Sequence, residues 1–293
     1  MCVYVKLLFF FLQKLQHQFS GQHLRTLVIE PSYAYGIAVT RDGRYMAVSY
    51  YYVHTMRVYR IEADGTLTLL HTIGGQGVGP MQFHHPYRIC LAPNGNVLVC
   101  DQNNHRVQEL TQPGDIEPAH VRDMAVGVPP RSIASRGDIV AVGTCSATVV
   151  LLSYATGAII RTFGSIGPGR GEIGTQVEGI RFTADSSFLV IAEHFNKRLS
   201  SFRVSDGTLV DVYCEGQIGE KYNDLEVLPT GEVIVSDHMA HRVCVFSADG
   251  RTLLRTWGTS GTADGQFSYP TALALVGNQL FVISSSSRVQ VFS

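Results

Sequence analysis

Residues 86–110 read PYRICLAPNGNVLVCDQNNHRVQEL, and the fold is decided there. An apolar run at 89–92 meets the turn pair Asn94-Gly95, and a second apolar run, 97–100, ends at Asp101. After a short polar loop a third run opens at Arg106-Val107. Asn-Gly between short β-rich runs predicts a tight two-residue hairpin with positive φ at both central residues. Three or four short antiparallel strands make one small sheet that cannot bury both of its faces alone. It needs copies of itself.

Copies occur along the whole chain. Residues 222–246, YNDLEVLPTGEVIVSDHMAHRVCVF, repeat the pattern with Thr230-Gly231 at the turn, and residues 177–202 repeat it with one extra residue at Ser187. Weaker copies lie at 34–61, 129–153 and 269–293. The residue opening the third strand falls at Arg57, Arg106, Thr148, Arg198, Arg242 and Arg288, with spacings of 49, 42, 50, 44 and 46 residues. Repeats of this length with about four strands each predict an all-β, six-bladed β-propeller rather than a solenoid.

The last repeat stops at Ser293, where its outermost strand should begin, while residues 20–30 (SGQHLRTLVIE) resemble the outer strand at 247–258 (SADGRTLLRTWG). The N-terminal segment is therefore expected to complete the last blade and close the ring, which removes exposed strand edges. Residues 20–293 form one propeller domain in this reading, preceded by an apolar segment at 1–19 that is helical or disordered. The apolar stretch at 7–12 is too short to span a bilayer and lacks a clear cleavage site.

Composition narrows the functional classes. At 45% hydrophobic and 16% charged residues, the chain has ample material for a core. A net charge of -1, from 23 basic and 24 acidic side chains, predicts neither DNA binding nor attraction to a membrane surface. The six cysteines, at 2, 90, 100, 145, 214 and 244, contain no CxxC pair and fall mostly in predicted strands. A two-residue turn at Asn94-Gly95 sets Cys90 opposite Val99 and Cys100 opposite Ile89, on opposite faces, so no bridge can join them. They read as buried thiols in a reducing, cytoplasmic setting, with a secreted or anchored form as the alternative left open by the N-terminal segment.

Glycine-rich stretches at 74–83, 164–174 and 258–267 are not phosphate loops. The first has Pro80 where a dinucleotide fingerprint needs its third glycine, and none is followed by a helical pattern. They are expected to be flexible crossovers from an outer strand to the next inner strand.

A glycine-rich loop, then Phe83, Pro86, a strand, the Asn-Gly turn, and a strand ending in Asp101 before Asn104-His105-Arg106-Val107 resembles an NHL repeat. Residues 222–246 match as well, and Phe267 with Pro270 fits the end of another such loop. The resemblance covers nearly all of the chain from residue 20 and implies a six-bladed propeller. It implies little about chemistry, because one fold hosts many functions.

In such a ring the start of every inner strand shares a face with the second-to-third-strand loops. The positions after Pro86 and its equivalents are Tyr35, Tyr87, Arg131, Glu178, Asn223 and Thr271, followed by Gly36, Arg88, Ser132, Gly179, Asp224 and Ala272. These should ring the mouth of the axial channel, where convergent polar groups are the default ligand site. The opposing expectation is that the charges pair across the channel and cap it.

Two enzyme families resemble this architecture. In peptide α-amidating lyases zinc is held by His just after the inner-strand Pro, whereas those slots here hold Tyr87, Arg131 and Thr271. Calcium-dependent lactonase-like propellers hold an axial metal through Glu, Asn and Asp, which Glu178, Asn223 and Asp224 can imitate, but Arg88 and Arg131 oppose a cation. No metal or other cofactor is expected. His194, His238 and the remaining top-face histidines sit on separate blades, and Asp101–Arg106, Glu193–Arg198 and Asp237–Arg242 read as ion pairs bracing four-residue loops. No nucleophile elbow or Ser-His-Asp arrangement is present.

The resulting expectation is a non-catalytic, monomeric interaction scaffold that docks a protein or peptide on its top face. The resemblance to the propellers of TRIM-type proteins implies a substrate-recognition role in a ubiquitin-ligase system. Single-stranded RNA binding on the same face is the first alternative, and a metal-dependent lyase or lactonase-like enzyme the second. The contact residues named by this reading are Tyr35, Tyr87, Arg88, Arg131, Arg170, Glu178, His194, Lys197, Asn223, Asp224 and His238, since tyrosine and arginine suit both protein hot spots and base stacking.

Overall fold

The structure, a computed structural model, describes residues 19–30, 33–215, 221–285 and 288–293. Among these residues the strands form six four-stranded antiparallel sheets. We number them as blades 1 to 6 by their innermost strands: Ala34–Val39, Pro86–Leu91, Pro130–Arg136, Val177–Phe182, Tyr222–Val227 and Pro270–Val276. Each innermost strand packs against the next, and that of blade 6 against that of blade 1, so the ring is closed. The second strands are buried along all or nearly all of their length, Val97–Asp101 and Val233–Asp237 completely. Neighbouring blades cover both of their faces, which is why they read as continuous apolar runs rather than alternating ones. The outermost strand Ile159–Phe163 is mostly exposed.

Closure works as the terminal sequences predict. His23–Val28 pairs antiparallel with Arg288–Phe292 and becomes the fourth strand of blade 6. The junction is reinforced by Gly21 N–H donating to the Ser293 carbonyl at 2.7 Å and by the Ser20 hydroxyl donating to the same oxygen at 2.6 Å. Phe19, one residue ahead of the expected strand segment, is buried against Trp257, with ring centroids 5.6 Å apart. The rest of the expected N-terminal segment, residues 1–18, lies outside the described residues.

Two local expectations are corrected. The blade 2 hairpin pairs Ile89 with Val99 and Cys90 with Leu98, one step out of the register that a two-residue turn would impose. Gly95 N–H donates to the Ala92 carbonyl and Ala92 N–H to the Asn96 carbonyl, with positive φ at Gly95 but not at Asn94. This is a three-residue loop ending in a glycine bulge, which needs only one left-handed residue. In this register Cys90 and Cys100 share a face instead of lying on opposite ones, since Cys90 pairs with Leu98, two residues before Cys100; Cys90, Cys100, Cys145, Cys214 and Cys244 are nonetheless all free.

The glycine-rich crossovers are not slack. Each is pinched by a parallel bridge, Gln76 with Phe83, Ile166 with Ile173 and Ser260 with Phe267. Each is also clamped by the arginine that opens the third strand of the following blade. Arg106 donates to the carbonyls of Gly79 (2.9 Å) and Gln82 (3.0 Å), and Arg198 to those of Gly169 (2.6 Å) and Glu172 (2.8 Å). The arginines that open the third strands of blades 2, 4 and 5 hold the carboxylates at the ends of the second strands: Asp101–Arg106 at 2.8 Å, Glu193–Arg198 at 3.1 Å and Asp237–Arg242 at 3.0 Å. The bracing pairs read from sequence are therefore present, and two of the arginines carry a second load.

One irregularity recurs in every blade and places the site. The ladder between first and second strands slips at its start: between Ala34 and Gly36, Pro86 and Ile89, Pro130 and Ser132, Val177 and Gly179, Tyr222 and Leu225, and Pro270 and Ala272. A bulge leaves an extra residue unpaired and re-aims its side chain. The residues at the slips are Tyr35, Tyr87, Arg131, Glu178, Asn223 and Thr271. In blades 2 and 5 regular pairing resumes one residue later, so Arg88 and Asp224 also leave the ladder.

Candidate functional site

The bulged residues meet at the upper end of the axis. Arg131 donates from Nε to Glu178 Oε2 at 2.9 Å and from Nη2 to Glu178 Oε1 at 2.8 Å, a two-pronged pair between adjacent blades. The Tyr87 hydroxyl joins it, donating to Glu178 Oε2 at 3.2 Å and accepting from Arg131 Nη2 at 2.9 Å. The Arg131 guanidinium lies 4.2 Å from the Tyr87 ring centroid, and Tyr35 stacks on Tyr87 with centroids 4.9 Å apart. Glu178 and Tyr87 are buried, and Arg131 keeps 12% of its side chain in solvent.

Beneath this tier, Arg88 closes the bore. Its guanidinium donates to backbone carbonyls of four other blades: Tyr35, Glu178 at 3.4 Å, Asn223 at 2.5 Å and Thr271 at 2.8 Å. Asp224 stands 3.8 Å from Arg88 Nε and 3.6 Å from Arg181 Nη1. Its own oxygens accept from the backbone N–H groups of Leu225 at 2.9 Å and Leu273 at 3.1 Å. Close approach at this level demands glycine: a Cβ on Gly36 would sit 2.5 Å from the Tyr87 carbonyl oxygen. Arg88 and Asp224 are structural fillers of the axis, 3% and 1% exposed, rather than surface contacts.

Two histidines and a lysine complete the upper mouth. His194 Nδ1 is 3.6 Å from Glu178 Oε1, outside hydrogen-bond reach. His238 Nδ1 lies 3.1 Å from the Pro270 carbonyl and 3.2 Å from Asn223 Nδ2. A carbonyl at that distance favours the tautomer with the proton on Nδ1, leaving Nε2 as an acceptor. Asn223 is fully buried, and its Oδ1 has no hydrogen-bond partner among the described residues.

The electrostatics separate these groups. Burial works against the Glu178 charge, but the Arg131 guanidinium, with smaller help from Lys221 and Arg88, outweighs it and holds the carboxyl below its usual range. Burial likewise opposes the Arg131 charge, and Glu178 overcomes it, so that pKa is raised. Burial pushes the His238 imidazole down to about 4 and lowers His194 as well, leaving both uncharged at neutral pH. Lys221 is also lowered, by burial first and then by Arg131 and Arg88 against the pull of Glu178.

The structure brings Tyr35, Tyr87, Arg131, Glu178, His194, Asn223 and His238 together. Arg170 and Lys197 stand apart on exposed loops, Arg170 being 3.9 Å from Asp211 on the outermost strand of its blade. Lys221 was missed by sequence reasoning because it stands just ahead of its strand and belongs to no motif. The suggested oxygen ligands for a cation do not suit one. Glu178 is tied to Arg131 and Tyr87, and Asp224 to backbone amides between two arginines, which leaves Asn223 Oδ1 as one neutral donor.

The chain matches the family described as Lactonase, 7-bladed beta-propeller over residues 16–263, and it belongs to that family. Its own ring has six blades where the family description counts seven. The uncharacterized protein YwcC of Lactococcus lactis subsp. lactis (strain IL1403) is 25% identical over 233 residues, covering 74% of this chain and 67% of the relative. An uncharacterized protein of Lactococcus lactis subsp. cremoris (strain MG1363) is 26% identical over 233 residues with the same coverage. The resemblance of residues 83–107 to NHL repeats thus describes a blade, while the family is that of the lactonase propellers. The ubiquitin-ligase and RNA-binding expectations drawn from it have no counterpart in these comparisons.

Proposed function

We propose that this member of the lactonase propeller family binds small cyclic esters in its upper mouth and opens them by hydrolysis. The observation that carries the reading is the guanidinium of Arg131, held by Glu178 and Tyr87 beside uncharged histidines. A fixed cation in a partly dry site stabilises negative charge developing on an ester carbonyl and pairs with the carboxylate that forms. His238, with Nδ1 against the Pro270 carbonyl, offers Nε2 to a water molecule. The water oxygen adds to the carbonyl carbon and the ring C–O bond breaks. The proton accepted by the imidazole passes to the departing ring oxygen, giving a hydroxy acid. The family supplies the reaction class, and the chain's residues supply the groups.

The test is turnover of a panel of γ- and δ-lactones followed by acid release. The purified chain is expected to hydrolyse at least one, with Arg131→Gln losing most of the rate. Background rates for every lactone would end the reading.

A second reading, docking of a protein or peptide on the same face, is favoured by aromatic side chains standing in solvent around the mouth. Tyr33, Tyr52, Phe195 and Tyr269 are 58%, 57%, 59% and 40% exposed. Tyr52→Ser with Phe195→Ser would abolish a partner's retention in a pull-down while leaving lactone turnover intact. Retention of RNA that weakens steeply with salt would point to nucleic acid instead.

A further inference from the structure

The axis has a second open end. The side chains three residues beyond the bulged positions are Ala38, Cys90, Ala134, Arg181, Glu226 and Ala274, and all of them line a cavity of about 390 Å³ at the lower mouth. Four are small, and they leave the volume that Arg88 and Asp224 fill one tier higher. Arg181 forms the floor, donating to Glu226 Oε1 at 2.9 Å and to the Ile180 carbonyl at 2.8 Å.

We propose that this lower mouth is a second binding site, taking a small organic carboxylate with an apolar body. Three arginines, Arg41, Arg136 and Arg181, line the cavity against one carboxylate, Glu226, so the lining has an excess of positive charge. Arg181 is occupied by Glu226 and Asp224, which leaves the excess on Arg41 and Arg136. Both are exposed at the rim, Arg41 in the first-to-second-strand turn of blade 1 and Arg136 at the end of the first strand of blade 3, where the carbonyls of Thr183 and Ala184 steady it. Deeper in, Ile37, Ile133 and Leu275 present an apolar wall. On that wall Ser135 Oγ is buried without a hydrogen-bond partner among the described residues, and a ligand oxygen would satisfy it.

The volume falls in the range of small-molecule pockets, and apolar walls with a few convergent polar groups are their usual make-up. An acid would place its carboxylate among the rim arginines and its chain against the aliphatic wall. Because Arg88 seals the bore between the two mouths, this site is independent of the proposed hydrolytic one.

Calorimetric titration of the whole chain with octanoate, and with octanol as the uncharged control, tests the proposal. Saturable octanoate binding is expected, with octanol at least tenfold weaker. The variant Arg41→Gln with Arg136→Gln, both exposed at the rim, should weaken octanoate at least tenfold and leave octanol unchanged. Ser135→Leu, which fills the cavity, should abolish both. The proposal is overturned by no saturable octanoate binding, by equal affinity in the arginine variant, or by binding lost in Arg131→Gln, which would put the acid in the upper mouth.

Discussion

Arg88 and Asp224 come from blades 2 and 5, on opposite sides of the ring, and their charged groups stand 3.8 Å apart on the axis. They are the centre of a column of alternating charge. Arg131 and Glu178 stand above them, and Arg181, 3.6 Å from Asp224, pairs with Glu226 below. Arg88 also donates to carbonyls from blades 1, 4, 5 and 6, so one side chain ties five of the six blades together.

Replacing Arg88 by Met should therefore destabilise the whole ring. Four carbonyls lose a donor and Asp224 loses one of its two cations, and breaking such a buried pair costs about 3–5 kcal/mol. The denaturant midpoint should fall with no new intermediate. An unchanged midpoint would show that the axial column contributes nothing to stability.

Deleting residues 20–30 removes the fourth strand of blade 6 and exposes the edge of Arg288–Phe292. An open propeller presents an unpaired strand to other copies of itself. The truncated chain should melt earlier and aggregate, as read by light scattering during a thermal scan. A melting curve like that of the full chain would refute the interlocked closure.

In the upper mouth, Arg131→Gln should reduce lactone turnover by about 10²–10³-fold, the usual effect of losing one group that stabilises developing charge. Tyr87→Phe removes a hydrogen bond to Glu178 but keeps the ring beneath Arg131, so its effect should be much smaller. Equal losses in both would mean that the hydrogen bonds of the Tyr87 hydroxyl, not the cation by itself, control the site.

Stability should fall with acidity in a defined window. His238 has a folded pKa of about 4, below the ordinary value of 6.5, so the unfolded chain takes up the proton first as pH drops. The stabilising contribution is present above pH 6.5 and is lost as pH falls towards about 4. Comparing denaturant midpoints of the wild type and His238→Gln across that range should show a shallower acid loss in the variant. His54, His85 and His194 are lowered too, so the wild-type slope should not vanish completely.

Arg198→Ala should loosen a crossover from a distance. Arg198 holds Glu193 at 3.1 Å and the carbonyls of Gly169 and Glu172. Losing these buried contacts should cost about 3 kcal/mol. Hydrogen exchange should accelerate at residues 165–174. Unaltered protection there would show that the parallel bridge alone holds the loop.

The blade pattern, the number of blades, the closing role of residues 20–30 and the pairs Asp101–Arg106 and Asp237–Arg242 were legible in the sequence. Each depends on strand period, turn chemistry or neighbours a few residues apart. The hairpin register was misread by one residue, because Asn-Gly suits both a two-residue turn and a longer loop closed by one left-handed glycine.

The axis was legible only as a set of aligned positions. The alignment put Arg88 and Asp224 one step in from Tyr87 and Asn223, yet nothing local shows that the bulges draw them into the bore. Arg181 and Glu226, charged residues among the small Ala38, Cys90, Ala134 and Ala274, were visible as an exception to the repeat but carried no motif. Short-range periodicity is enough to specify the blades, since each hydrogen-bonded sheet is built from strands a few residues apart in the chain. Which side chains seal the axis and which line its two mouths depends on contacts between residues of different blades, and those form when the ring closes.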